Sequence, residues 1–442
     1  MGFRKDFLWG TATASAQIEG AVFEGGKTST IWDDDSIITG YIVKDENPKI
    51  ACDHYHRFRD DVAIMKEIGL KSYRFSISWA RIIPNDDGKI NQEGVGFYRE
   101  LLNELQMANI EPICTLYHWD MPMWLYRQGG WKNSIVVEKF IEYTKAVVEM
   151  LSDKIKYWIT FNEPQCFVNG GYQEAWHAPF EINDVETVEN ITRNVMLAHG
   201  KAVKVIRQFS KKESFIGFAP TANVFIPTTD GTISEEKAKE LTFSVDRGQA
   251  MSSAWWSDPI VLGKIPGNMG FLTEEDIKEI HQPLDFYAYN IYTSENHHRK
   301  ETQGDLFYVG MPRTANGWTI FPQSIYYATK FFYERYKLPI LISENGTACF
   351  DLIYSDGKVH DPKRIEYIKL YLKELMRAVV EGVDVIGYQY WSLMDNFEWT
   401  VGYDIRFGLV YMDYKTQERI LKDSAYYYKE IIKTNGEILN RD

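Results

Sequence analysis

A closed barrel of eight parallel strands, each followed by a helix, is the fold class this sequence predicts. Short runs of β-branched and aromatic residues alternate eight times with amphipathic helical patterns along the 442 residues. No Pro/Gly/Ser-rich linker or low-complexity tract divides the chain, so residues 1–442 read as one α/β unit. Amides, carboxylates and tryptophans recur where the apolar runs end, which is where a (β/α)8 barrel keeps its reactive groups.

The eight runs are Phe7–Thr13, Ser72–Ser78, Pro112–Leu116, Tyr157–Phe161, Phe215–Ala219, Phe286–Ile291, Ile340–Ser343 and Val385–Trp391. Each has the composition of a strand. Helical patterns fall between them, among them DHYHRFRDDVAIMKEIG, VEKFIEYTKAVVEMLSD and RIEYIKLYLKELMRAVVEG. In the last, Ile365, Ile368, Leu372, Leu375 and Val379 recur at steps of three and four, as a helix packed on one face requires. Such alternation implies parallel strands joined by right-handed crossovers. An open doubly wound sheet is the alternative. Its phosphate-binding signatures are missing, since no G-x-G-x-x-G follows the first run and no G-x-x-x-x-G-K-[ST] occurs anywhere. A TIM barrel with elaborated loops after its strands is therefore expected.

At 45% hydrophobic and 15% aromatic, the chain can fill a large core. Its 49 basic and 62 acidic residues leave a formal charge of −13, which argues against nucleic acid or an anionic membrane as partner. The first twenty residues lack the apolar run of a signal peptide, and Asp6 stands where a myristoylation signal wants Ser or Thr. No stretch is long and apolar enough for a transmembrane helix. Cys52, Cys114, Cys166 and Cys349 are scattered without C-x-x-C spacing, which predicts free buried thiols and neither a disulfide framework nor a metal site. A cytoplasmic location follows as an expectation. Homo-oligomerisation is left open.

The run ends carry one kind of chemistry. Gln17 follows the first run, Arg74 lies in the second, and Tyr117-His118-Trp119-Asp120 ends the third. Asn162-Glu163-Pro164 ends the fourth, Asn290-Ile291-Tyr292 the sixth, and Ser343-Glu344-Asn345-Gly346 the seventh. The eighth leads into Trp391-Ser392-Leu393-Met394-Asp395-Asn396-Phe397-Glu398-Trp399. Singly, each has a plain explanation: a structural ion pair for Arg74, a core histidine for His118, a turn for Asn345-Gly346, a helix start at Glu163-Pro164. Jointly they suit carbohydrate. Hydroxyl arrays want amide, carboxylate and imidazole partners, and indoles offer platforms for sugar rings.

Cleaving a glycosidic bond takes one carboxylic acid to protonate the leaving oxygen and one carboxylate opposite it. Glu163 and Glu344 end the fourth and seventh runs, so closure of the barrel can set them face to face. Arg74 beside Glu344 would favour its ionised form, and the Tyr292 hydroxyl would add a hydrogen bond. Glu163 must keep its proton near neutral pH, which burial and the charge of Glu344 would arrange. These residues by themselves leave retention or inversion, and hydrolysis or transglycosylation, open.

T-F-N-E-P (Thr160–Pro164), S-E-N-G (Ser343–Gly346) and W-S-L-M-D-N-F-E-W (Trp391–Trp399) resemble glycoside hydrolase family 1, the β-glucosidase-type enzymes. F-L-W-G-T-A-T-A-S-A-Q-I-E-G-A, Y-R-F-S-I-S-W-A-R-I-I-P and L-Y-H-W-D-M-P-M-W-L extend the resemblance over nearly the whole chain. It implies retaining hydrolysis of terminal non-reducing β-glycosides or short oligosaccharides without a cofactor. It makes Glu163 the acid/base and Glu344 the nucleophile. It assigns the non-reducing sugar to Gln17, His118, Asn162, Glu398 and Trp399, with Trp391 beneath it. Arg74, Trp119, Asn290 and Tyr292 become supporting residues, and Trp318 an aromatic on the leaving-group side. A cis bond at Trp391-Ser392 is implied as well.

The resemblance also offers a fork. Relatives acting on 6-phosphorylated sugars have Ser where this chain has Glu398, with Lys and Tyr where it has Ile405 and Phe407. Non-phosphorylated sugars are therefore expected. A 6-phospho-β-glucosidase and a catalytically silent sugar-binding relative are the alternatives. Ala16, Ser343, Gln389 and Tyr390 depart mildly from the family pattern, and residues 165–180 more so.

Overall fold

Eight strands run parallel: β1 (Leu8–Ala12), β2 (Ser72–Ser76), β3 (Glu111–Tyr117), β4 (Tyr157–Asn162), β5 (Phe215–Ala219), β6 (Tyr287–Asn290), β7 (Ile340–Asn345) and β8 (Val385–Trp391). The structure is a computed structural model and describes residues 2–228, 231–246, 248–267, 269–295 and 310–440. The strands pair in the order β5-β4-β3-β2-β1-β8-β7-β6. Just past β5 the ring closes, where Asn290 donates its amide to Pro220 and Ala222 donates to Asn290, at 3.0 and 2.8 Å. All eight expected runs became strands, two of them with the expected ends and the others with ends moved by at most two residues.

Helices return the chain along the outside: α1 (His54–Ile68), α2 (Gln92–Met107), α3 (Ile135–Leu151), α4 (Val185–Phe209), α5 (Glu274–Ile280), α6 (Gln323–Tyr336), α7 (Pro362–Val380) and α8 (Asp423–Lys433). On α7, Ile368, Leu372 and Leu375 are buried as expected, while Ile365 and Val379 lie at the flank and Tyr367 and Tyr371 complete the face. Inside the barrel, Ile113, Ile159, Ala219, Ala288 and Leu341 form a compact apolar plug. The far larger core fills the space between strands and helices. The plug seals the end where strands begin, which leaves polar side chains to occupy the end where they finish. No helix among the described residues is long and apolar enough to cross a membrane.

Two cysteines differ from expectation. Cys52 and Cys114 are buried thiols, but Cys166 and Cys349 are only partly covered, and none of the four is in a disulfide.

Candidate active site

Irregular strand pairing aims the reactive side chains. In β4, Ile159 points into the barrel, and strict alternation would send Phe161 after it. Instead the register slips between Ile159 and Asn162. Phe161 packs outward on Phe140, with ring centroids 4.7 Å apart, and Asn162 turns inward to Arg74. Similar slips follow Tyr289 in β6 and Ile342 in β7. Bulges of this kind redirect side chains near reactive sites. Here they deliver Asn162, Asn290 and Glu344 to one place.

Asn162 is the hub. Its Oδ1 accepts from Arg74 Nη2 at 2.7 Å and from Asn290 Nδ2 at 2.9 Å, which settles the orientation of the amide. Its Nδ2 must then donate to His118 Nε2, 3.0 Å away. Burial and Arg74 push the His118 imidazole well below its ordinary value, so the ring is neutral with its proton on Nδ1. That nitrogen is buried and has no partner among the described residues. The Asn162 carbonyl accepts from Trp119 Nε1 at 2.9 Å, and Ser343 Oγ donates to Asn290 Oδ1 at 2.7 Å.

The two glutamates sit in unlike surroundings. Glu344 Oε1 lies 2.6 Å from Arg74 Nη1, and the Tyr292 hydroxyl donates to Oε2 at 2.6 Å. Burial raises the Glu344 carboxyl, but Arg74 and Tyr292 oppose that rise. Glu163 makes no ion pair among the described residues. Burial first, and then the charge of Glu344, push it up to about 7. Asn290 lies near both carboxyl groups and opposes the rise of each, so the pair shares one amide neighbour.

Glu163 has a φ of +42°, left-handed backbone that costs a non-glycine residue about 1–2 kcal/mol. Its amide is anchored on the Ala219 carbonyl at 2.8 Å. Pro164 and Gln165 then open a short helical turn that widens over Cys166–Gly170. The helix-start explanation of Glu163-Pro164 is thus borne out in the backbone, and it leaves the Glu163 carboxyl in the cavity. Trp119 and Trp399 are also left-handed, at +77° and +52°. Strain of this sort gathers at functional sites.

The glutamates line a cavity of about 280 Å³ together with His118, Trp119, Tyr292, Trp318, Trp391, Glu398 and Trp399. Trp391 and Trp399 flank His118, with ring centroids 5.8 and 6.0 Å from the imidazole. The Trp391-Ser392 peptide is cis. A Cβ on Gly346 would come within 1.8 Å of the Trp391 carbonyl oxygen, so close approach, and not only a turn, requires glycine there. Burial, followed by the charges of Glu344 and Glu163, pushes Glu398 up to about 8, and the neighbouring Trp391 indole opposes that rise. The neutral form of Glu398 can both donate and accept.

Four expected residues, Gln17, Arg74, Asn162 and Asn290, lie behind this lining. Gln17 donates to Asn396 Oδ1 and the Phe397 carbonyl at 3.0 and 2.8 Å, and its Oε1 is buried without a partner among the described residues. The cavity also takes in residues that strand-end reasoning missed, notably Cys166, His177, Asn223 and Met251. His177 packs on Trp119 and Trp32, with centroids 4.8 and 5.4 Å away, and burial pushes it down to about 3. The atypical run from 165 to 180 was the only signal for it.

A carboxyl pair at the strand ends of a (β/α)8 barrel, walled by indoles and amides, defines a glycoside-cleaving class of site. Residues 1–437 match glycosyl hydrolase family 1, and the chain belongs to that family. Beta-glucosidase A of Acetivibrio thermocellus is 42% identical, with 98% of this chain and 99% of the relative covered. A 1,4-beta-D-glucan glucohydrolase of Thermotoga neapolitana is 39% identical over the same shares. Among solved structures, beta-glucosidase from Thermotoga maritima in complex with glucoimidazole superimposes with a TM-score of 0.89. It is 37% identical and covers 98% of this chain and 99% of its own.

Proposed function

We propose that the protein is a retaining β-glucosidase, hydrolysing terminal non-reducing, non-phosphorylated β-D-glycosyl residues by double displacement. The observation that carries this is the contrast between its two carboxyl groups: Glu344 is held by Arg74 and Tyr292, and Glu163 is buried with no ion-pair partner among the described residues. In the first step Glu163 gives its proton to the leaving oxygen while Glu344 attacks the anomeric carbon, forming a glycosyl ester as the C–O bond breaks. Esterification removes the charge of Glu344, so Glu163 becomes the stronger acid and its conjugate base takes a proton from water. That water attacks the anomeric carbon and frees Glu344. The charge of Glu344 acting on Glu163, with Asn290 a neighbour of both, supports a close carboxyl pair and hence retention. The spare polar atoms of Gln17 and His118, and Glu398 beside Trp391, are suited to the hydroxyls of the terminal sugar. β-Galactosides and β-fucosides fall within the same proposal.

Exclusion of phosphate does not rest on the charge of Glu398. With Glu398 pushed up to about 8, its charge is a weak repellent near neutral pH. The stronger support is that no Lys or Arg lines the cavity among the described residues. The absence of disulfides fits a cytoplasmic location, which we also propose.

The test is a paired assay of an aryl β-D-glucoside and its 6-phosphate on the purified protein. Turnover of the plain glucoside alone is expected. Preference for the phosphate would overturn the reading of the pocket, and turnover of neither would leave a silent sugar-binding relative.

A further inference from the structure

The segment after β8 brings Glu398 and Trp399 to the cavity, and its Asn396 side chain and Phe397 carbonyl hold Gln17. Just before them stands Asp395, which is wholly buried and does not line the cavity. Its Oδ1 accepts from Lys422 Nζ at 2.7 Å and from the Gly408 amide at 2.9 Å, and its Oδ2 from Arg406 Nη1 at 2.7 Å. Lys422 Nζ also reaches Asp351 Oδ2 at 2.6 Å. Arg364 joins Asp351 at 2.6 Å and pairs through its other nitrogen with Asp361. Charges thus alternate in sign along Asp361, Arg364, Asp351, Lys422, Asp395 and Arg406. The side chains of Asp361, Arg364, Lys422 and Asp395 are fully buried.

None of these six residues lines the cavity, and no step of the reaction uses them. What they join is informative. Asp351 lies on the segment that follows Glu344 and β7, and Cys349 exchanges backbone hydrogen bonds with Arg406 at 2.9 and 3.1 Å. The segments that carry Glu344 and Glu398 are therefore fastened to one another. A buried ion pair adds little net stability, because desolvation of both charges offsets their attraction. It does restrict geometry, since each charge is tolerated only where its partners are. Asp395 meets two cations and an amide, which leaves its segment one position. Gly408 tightens the fit, because a Cβ there would come within 2.1 Å of the Asp395 amide nitrogen.

We propose that Asp395 is a positioning residue for the terminal sugar: fastened by Lys422 and Arg406, it sets where Glu398 meets the sugar hydroxyls. This rests on the β-glucosidase reading above and adds a residue to it that touches no substrate. The experiment is a double-mutant cycle on kcat/KM for an aryl β-glucoside. Asp395→Asn should lower kcat/KM by about tenfold in the native background and by less than about twofold in a Glu398→Ala background, because it acts through Glu398. A residue that only stabilised the fold would cost the same in both. Pairing Asp395→Asn with Lys422→Met removes one charge of each sign. That variant should regain melting temperature over Asp395→Asn alone, and its kcat/KM should stay low. Should Asp395→Asn not fold, the paired variant goes through the same cycle. Equal losses in the two backgrounds, or activity regained together with melting temperature, would overturn the proposal. Calorimetry of an aryl β-thioglucoside on Glu344→Gln protein reads the same coupling without turnover. Coupling seen there would uphold the role of Asp395 even if no glycoside were cleaved, and its absence would sink it.

Discussion

The ends of β4 and β7 place the same residue type in the same cavity and give it opposite surroundings. At the end of β7, Glu344 meets a buried guanidinium and a phenol, each 2.6 Å away. At the end of β4, Glu163 is buried in the field of Glu344 with Asn290 and Cys166 beside it, and is pushed up to about 7. The difference arises from what stands on the neighbouring strands. Arg74 of β2 reaches across the barrel to β7, and Asn162 of β4, held by the same guanidinium, keeps it there. One cation in a site with several carboxyl groups decides which of them stays charged.

The strongest way to break that contrast is to remove its charged member. Glu344→Gln should lower kcat for aryl β-glucosides by about 10⁴-fold or more, as loss of a nucleophile does, with native circular dichroism. Substantial residual turnover would mean that Glu344 is not the nucleophile. Glu163→Ala should act more selectively. Glycosides with poor leaving groups should lose about 10²–10⁴-fold in kcat/KM, and activated aryl glycosides far less, because only the former need the proton. In the native protein kcat/KM should fall as pH rises through about 7, as Glu163 ionises. The variant should lack that descending limb. Equal losses for both leaving groups, or an unchanged limb, would contradict the acid assignment.

Much of this contrast was legible before any coordinates, and the reason is geometric. A strand buried on both faces reads as an apolar run, so the polar residue that ends it stands out, and in a parallel barrel all such ends share one face. Glu163, Glu344, His118 and Tyr292 were found that way. The register slips in β4, β6 and β7 were not legible, because a bulge depends on partners distant in sequence. Without them, alternation would misplace Asn162 and Phe161. His177 was equally hidden. It belongs to a loop whose course is set by packing on Trp32 and Trp119, and no period marks such residues.

The smallest effect expected is on stability, and it separates the two glutamates by sign. Glu163 has a folded value of about 7 against an ordinary 4.5, so the folded state binds this proton more tightly than the unfolded chain. The stabilisation is full below about pH 4.5 and is lost as pH rises through 7. Glu163→Gln carries no such proton and keeps a neutral group in the same space. It should therefore gain on the native protein with rising pH, melting higher by about 1–3 °C at pH 8 and losing that advantage toward pH 5. Glu344→Gln should not gain. It leaves the Arg74 guanidinium, only 1% exposed, without its carboxylate, so it should melt below the native protein throughout. Thermal melts of the three proteins at pH 5, 6, 7 and 8 make the comparison. A Glu163→Gln difference that does not change with pH would show that the raised group is not Glu163. A gain for Glu344→Gln would mean that Arg74 does not depend on that carboxylate for its place in the core.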